Sequence, residues 1–143
     1  LEAVKRIINA GIPVMGHLGL TPQSINQFGT YGVRAKEEAE AAKLLSDARA
    51  LEAAGCFALV VEKIPATLTQ QVVAAVSIPV IGIGGGAADG QVLVVDDMLG
   101  KNADFKPKFL RRYADLHNIM LDAIGQYVSD VKTGDFPNTS EQY

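Results

Sequence analysis

Two apolar runs constrain the fold of this chain more than any other feature. Phe57–Val61 is apolar throughout and is followed by Glu62, and Ile78–Ile83 is a second, largely apolar run. Strands that are apolar on both faces are typical of parallel sheets covered by helices. Lys36–Ala54, rich in Ala, Glu and Leu and followed by Gly55, predicts one such helix. The alternation predicts an α/β fold with parallel strands, as a barrel or an open sheet.

The other segments continue this order of helix and strand. No linker or low-complexity tract divides the sequence, so residues 1–143 are predicted to be one unit. Periodicity and turn residues predict a helix ending at Gly11, a strand over Ile12–His17 and a helix from Pro65 to about Val76. They also predict a very short helix followed by a strand over Gln91–Val95. A final helix is predicted over Phe109–Lys132, with apolar Ile119, Ile124, Tyr127, Val128 and Val131.

Composition narrows the classes of function. The formal net charge is -3 and the basic residues are scattered, which disfavours nucleic acid as a partner. No apolar run approaches the roughly 20 residues that cross a bilayer, so no membrane association is expected. The single cysteine, Cys56, lies in an apolar run, where a packing role is favoured over a nucleophilic one. We expect a cytoplasmic protein, because a lone unpaired cysteine suits a reducing compartment.

Polar residues at predicted strand ends are the candidates for chemistry. In parallel α/β folds the loops after the strands gather at one end and form the ligand site, which nominates His17, Glu62 and the loop at Gly84 and Gly85 together. A carboxylate that follows five apolar strand residues is partly desolvated, which suits Glu62 to proton abstraction. The alternative for Glu62 is an ion pair with Lys63 or another cation. His17 is suited to polarise a carbonyl, position a carboxylate or move a proton, and the alternative is a hydrogen-bonded structural histidine.

Other motifs carry weaker signals. Gly82–Gly86 is compatible with a phosphate cradle, but its spacing matches neither the P-loop nor the dinucleotide fingerprint, so a tight turn is favoured. Asp96 and Asp97 are adjacent and would point to opposite faces of a strand, so a carboxylate that caps a turn or helix is favoured and we assign them no metal. His117 lies in the predicted last helix, and we interpret it as structural.

Several motifs in this chain occur together in one enzyme family. Pro13–Ser24 reads Pro-Val-Met-Gly-His-Leu-Gly-Leu-Thr-Pro-Gln-Ser, and it is followed by Leu-Val-Val-Glu at Leu59–Glu62. Pro-Val-Ile-Gly-Ile-Gly at Pro79–Gly84 and Asp-Gly-Gln at Asp89–Gln91 come next. On these residues the chain resembles the ketopantoate (3-methyl-2-oxobutanoate) hydroxymethyltransferases, and the likeness extends as far as the Gly-Asp-Phe-Pro at Gly134–Pro137.

The resemblance implies both a fold and a reaction. The fold is a (βα)8 TIM-type barrel, of which this chain is the C-terminal half, with strands five to eight and a final helix. The reaction joins 3-methyl-2-oxobutanoate to the one-carbon unit of 5,10-methylenetetrahydrofolate and gives 2-dehydropantoate for pantothenate biosynthesis. Glu62 corresponds to the proton acceptor, and His17 to a histidine at the active-site end of its strand. Mg²⁺ is the implied cofactor; its ligands are expected from the absent N-terminal half, so no residue here is assigned to it.

The resemblance also raises questions of completeness. Leu1 is not a natural start, so we expect a fragment whose partners are the N-terminal half-barrel and further copies of the enzyme. Two alternatives stay open: a related Mg-dependent enolate-forming barrel of the phosphoenolpyruvate mutase or isocitrate lyase type, and a non-catalytic complementing fragment. The sequence departs from the family pattern in two loops. Gly85 stands where Ala is usual in a loop one residue shorter, and Val33–Ala35 replaces Val-Gln-Gly.

Overall fold

The computed structural model describes all 143 residues of the chain. They form two compact units, Leu1–Val92 and Leu93–Tyr143, and each is described by itself. The expectation that residues 1–143 act as one unit stays a prediction.

The first unit contains a sheet of four parallel strands. The strands are β1 (Met15–Gly19), β2 (Ala58–Glu62), β3 (Val80–Ile83) and β4 (Gly90–Gln91), and their order in the sheet is their order in the chain. This confirms the predicted α/β class and the parallel pairing, while membership of an eight-stranded barrel stays a prediction.

Four helices connect or precede these strands. They are α1 (Glu2–Asn9), α2 (Ile25–Phe28), α3 (Glu38–Ala53) and α4 (Ala66–Ala75). Glycine follows three of them closely, as expected where a helix must stop: Gly11, Gly29 and Gly55 all have positive φ.

Helices α3 and α4 cover one face of the sheet. Leu59 and Val61 of β2 and Val80 of β3 point to this face and are fully buried. They pack against apolar residues of both helices, Leu44, Ala48, Leu68 and Val72. Successive strand residues point to opposite faces, so Val60, Glu62 and His17 lie on the other face, where they are only half-buried.

Three predicted boundaries in the first unit are wrong. β1 begins at Met15 rather than at Ile12, because Pro13 cannot donate a ladder hydrogen bond. At its other end the strand runs past His17 to Gly19. No helix separates β3 from β4, since residues 84–89 carry glycine turns directly between them. The predicted strand Gln91–Val95 shrinks to Gly90–Gln91.

The second unit is helical. Its elements are α5 (Val95–Met98), α6 (Leu116–Thr133) and a short 3₁₀ turn at Thr139–Glu141. Helix α6 begins seven residues later than predicted, where Asp115 caps it by accepting a hydrogen bond from the backbone of Asn118. The apolar residues of its predicted stripe are all exposed: Ile119, Ile124, Tyr127, Val128 and Val131. None of the helices is long and apolar enough to span a membrane.

Candidate active site

The parallel register of β1 and β2 brings the two main candidates together. Gly19 pairs with Glu62 and His17 pairs with Val60, so the histidine lies two residues before the end of its strand, on the same face as the carboxylate. Neighbouring strands are about 4.8 Å apart, and the two side chains span that gap. The structure therefore brings His17 and Glu62 side by side, while their membership of a ligand site stays a prediction.

The two side chains form one hydrogen bond. His17 Nε2 lies 3.0 Å from Glu62 Oε2. An ionised carboxylate only accepts hydrogen bonds, so Nε2 carries the hydrogen and donates it. The side chains are 30% and 21% exposed, which leaves both within reach of a small molecule. Glu62 Oε1 has no hydrogen-bond partner in the chain, so this oxygen is the one available to accept a proton.

The backbone of Glu62 is held by neighbouring segments. Its carbonyl oxygen accepts a hydrogen bond from the Leu20 backbone N–H at 2.9 Å. This close approach requires glycine at position 19, since a Cβ there would stand 2.2 Å from the same oxygen, and Gly19 has a φ of +89°. The Gly-His-Leu-Gly sequence of β1 therefore provides both the histidine and the space that the backbone carbonyl of Glu62 requires.

A loop before α3 is tied to the residue after Glu62. Lys63 has a φ of 52°; its carbonyl accepts from the Arg34 backbone N–H at 2.9 Å, and its ammonium group donates to the Tyr31 carbonyl. The ammonium group of Lys63 is thus engaged by the loop and does not pair with Glu62. The alternative of another cation as the partner of Glu62 stays open, since His17 Nε2 lies 3.0 Å from Glu62 Oε2.

Arg34 and Ala35 show how the departure from Val-Gln-Gly is accommodated. The Arg34 guanidinium lies 4.2 Å from the ring centre of Phe28 and pairs with Glu40, whose other oxygen accepts from the Ala35 N–H at 2.8 Å. Ala35 is buried with a φ of 53°, a conformation that glycine adopts at lower cost. The sequence analysis named Lys63 only as an ion-pair partner of Glu62 and did not single out Arg34 or Glu40, because these contacts depend on backbone conformations that residue types do not reveal.

A cavity of about 350 Å³ adjoins the histidine. His17 lines it together with Thr21, Phe28, Arg34 and Lys43, whereas Glu62 does not line it. The carboxylate of Glu62 therefore does not open onto this cavity.

The glycine loop after β3 packs against α4. A Cβ on Gly85 would meet Thr69 Oγ1 at 2.9 Å, and one on Gly86 would meet Ala66 Cβ at 2.6 Å. The Thr69 hydroxyl donates to the Gly85 carbonyl. No helix begins at these glycines, so the mechanism by which a helix N-terminus binds phosphate is not present here. The expectation that Gly84 and Gly85 lie near the substrate stays a prediction.

The remaining candidates lie apart from this pair. Cys56 is buried before β2, and burial raises the pKa of its thiol, which makes it a poor nucleophile. Asp96 is in the first turn of α5 and lies 3.3 Å from Lys101 Nζ. His117 is in α6.

Metal-binding side chains are not clustered in this chain. No group of three or more His, Cys, Asp or Glu residues is arranged to hold an ion. Mg²⁺ prefers an octahedron of oxygen ligands, and the single carboxylate of the His17–Glu62 pair does not provide one. The residues present therefore do not fit the Mg²⁺ cofactor that the resemblance implies, and no step below depends on it.

Comparison with known proteins gives consistent matches over the whole chain. A sequence model of the family described as "Ketopantoate hydroxymethyltransferase" matches residues 1–139. A 3-methyl-2-oxobutanoate hydroxymethyltransferase of Phocaeicola vulgatus is 69% identical over 100% of this chain and 53% of its own length. Proteins of the same name from Bacteroides thetaiotaomicron and Flavobacterium johnsoniae are each 67% identical, over 100% and 99% of this chain and 53% of their own lengths. The chain spans about half the length of these curated relatives and corresponds to their C-terminal part.

Proposed function

We propose that Glu62 is the proton acceptor of a hydroxymethyl transfer to 3-methyl-2-oxobutanoate. The basis is that this chain belongs to the ketopantoate hydroxymethyltransferase family. The overall reaction takes the keto acid, 5,10-methylenetetrahydrofolate and water to 2-dehydropantoate and tetrahydrofolate. The observation that carries the proposal is the position of Glu62 at the end of β2, with Oε2 bound by His17 and Oε1 without a partner in the chain.

The proposed step is the removal of the proton on C3 of the keto acid. The C3–H bond breaks, the proton moves to Glu62 Oε1, and the electron pair is delocalised onto the ketone oxygen as an enolate. C3 then forms a bond to the methylene carbon of the folate, and the two bonds from that carbon to N5 and N10 break. Water supplies the oxygen of the new hydroxyl group. The two hydrogens of water and the proton taken from C3 end on N5, on N10 and on that hydroxyl. A base placed in this way contributes about 10²- to 10⁴-fold to a rate.

The complete active site needs residues beyond this chain. We propose that the chain forms half of a (βα)8 barrel and assembles with the other half, which would pair with the free edges of β1 and β4 and cover the face that carries His17 and Glu62. Any Mg²⁺ ligands belong to that other half. Self-association of the whole enzyme is also proposed, since α6 exposes apolar residues such as Leu121 and Ile124.

The location of the enzyme is proposed on one observation. Cys56 is a free, buried thiol, which suits the reducing cytoplasm.

The proposal is tested by replacing Glu62 in an assembled enzyme. The N-terminal part of the Phocaeicola vulgatus relative is joined to this chain, and exchange of the C3 proton of 3-methyl-2-oxobutanoate in D₂O is followed by NMR. Glu62→Gln keeps the size of the side chain and removes its basicity, so we expect exchange to fall at least about 100-fold. Folate-dependent transfer should fall in parallel.

The matched control is Glu38→Gln, the same change at an exposed position in α3. It should exchange at the wild-type rate. Near-normal exchange in Glu62→Gln would refute the role of the base. An assembly that forms but never turns over would instead identify the chain as a non-catalytic complementing fragment.

A further inference from the structure

The carboxylate of Glu62 depends on a single side chain for its position. His17 Nε2, at 3.0 Å, is its hydrogen-bond partner within the chain. The nearest lysine in sequence, Lys63, directs its ammonium group to the Tyr31 carbonyl instead. Without His17, no side-chain hydrogen bond within this chain would restrain the carboxylate of a glutamate that is 21% exposed.

His17 itself stands on a strand with little freedom to move. A Cβ on the preceding residue, Gly16, would lie 2.7 Å from Leu59 Cδ2 and 2.9 Å from Leu51 Cδ1, so β1 packs closely against β2 and α3. Two residues after His17, Gly19 approaches the Glu62 carbonyl. A donor carried by such a strand holds its acceptor more firmly than one on a loop would.

We infer that His17 is a positioning residue, which donates from Nε2 to Glu62 Oε2 and thereby directs Oε1 at the C3 proton. This inference rests on the proposed role of Glu62 and assigns His17 a task in the same step. A purely structural histidine would instead contribute mainly to stability. The half-buried setting of His17, on the face that the helices do not cover, argues against that alternative.

The test compares two replacements of His17 in the assembled enzyme. His17→Leu has a similar volume and no donor, while His17→Gln keeps an N–H that can donate to a carboxylate. We expect His17→Leu to lower kcat for C3 proton exchange about 10- to 100-fold, as small misplacements of catalytic groups do. KM should stay within about threefold, because the lost interaction acts on the reacting geometry rather than on substrate binding.

Rescue by the conservative variant separates positioning from structure. His17→Gln should recover at least about fivefold of the lost kcat, and both variants should unfold within about 4 °C of the wild type. The inference is overturned if His17→Leu keeps wild-type kcat, if only KM changes, or if both variants lose stability and activity to the same extent. If the wild-type assembly fails to exchange the C3 proton, the proposed function itself fails.

Discussion

The two faces of the sheet have opposite properties, although they are built from the same strands. On the helix-covered face, Leu59, Val61 and Val80 are fully buried, and their neighbours are apolar. On the other face, His17 and Glu62 are half-buried and hydrogen-bonded to each other. One face therefore stabilises the fold, whereas the other holds two polar groups where a small molecule can reach them. Substitutions should separate these tasks.

The largest loss of unfolding free energy is expected at Gly19, where the packing of the strands and the position of Glu62 depend on the same residue. Gly19 lies on the face that carries His17 and Glu62, but a Cβ there would stand 2.2 Å from the Glu62 carbonyl oxygen, and Gly19 has a φ of +89°. Gly19→Ala should cost about 2 to 5 kcal/mol of unfolding free energy, the sum of a backbone penalty and a steric one. Urea denaturation of the chain measures it.

Gly125→Ala is the matched control, because a Cβ on this helical glycine would meet no atom within 4 Å. It should be neutral or slightly stabilising, as alanine is in helices. If Gly19→Ala were equally harmless, the close approach of β1 to Glu62 would not be a constraint on the fold.

Adjacent valines in β2 give the most direct comparison of the two faces. Val61 is fully buried under the helices, while Val60 is half-buried on the other face. Val61→Ala should lose about 2 to 3 kcal/mol through lost burial and the cavity left behind, and Val60→Ala less than about 1 kcal/mol. Equal losses in urea denaturation would mean that both faces are equally important to the stability of this chain.

The sequence predicted the helix-covered face of the sheet better than the face that carries His17 and Glu62. Apolar runs identified β2 and β3, because burial on both faces leaves a continuous pattern in the residue types. The approach of His17 to Glu62 followed from the rule that strand ends gather. The tie between Arg34 and Lys63 could not be predicted, since it depends on a positive φ at a lysine.

Helix α6 shows a second limit of sequence patterns. Its apolar spacing correctly predicted a helix, yet Ile124 and Val128 are exposed. Periodicity reports that one side of a helix is apolar, but it carries no information on what covers that side. The start of α6 was missed for a different reason: residues 109–115 contain helix-compatible types, and the cap at Asp115 decides where the helix begins.

The smallest effect is expected from the one buried polar side chain behind the sheet. Thr69 of α4 is fully buried, and its hydroxyl donates to the Gly85 carbonyl. Thr69→Val keeps the shape and leaves that buried carbonyl without its donor, which should cost about 1 to 2 kcal/mol. Thr67→Val makes the same change at an exposed position of the same helix and should cost less than about 0.5 kcal/mol.

Hydrogen exchange locates this loss. If the Thr69 hydroxyl holds the glycine loop against α4, the amides near Gly85 and Gly86 should exchange faster in Thr69→Val, while those of β2 keep their protection. Faster exchange throughout the sheet would mean that the hydroxyl supports the whole helix-covered face. In that case a polar side chain would stabilise the helix-covered face as much as the apolar residues do. The two faces would then not differ in the kind of side chain that stabilises them.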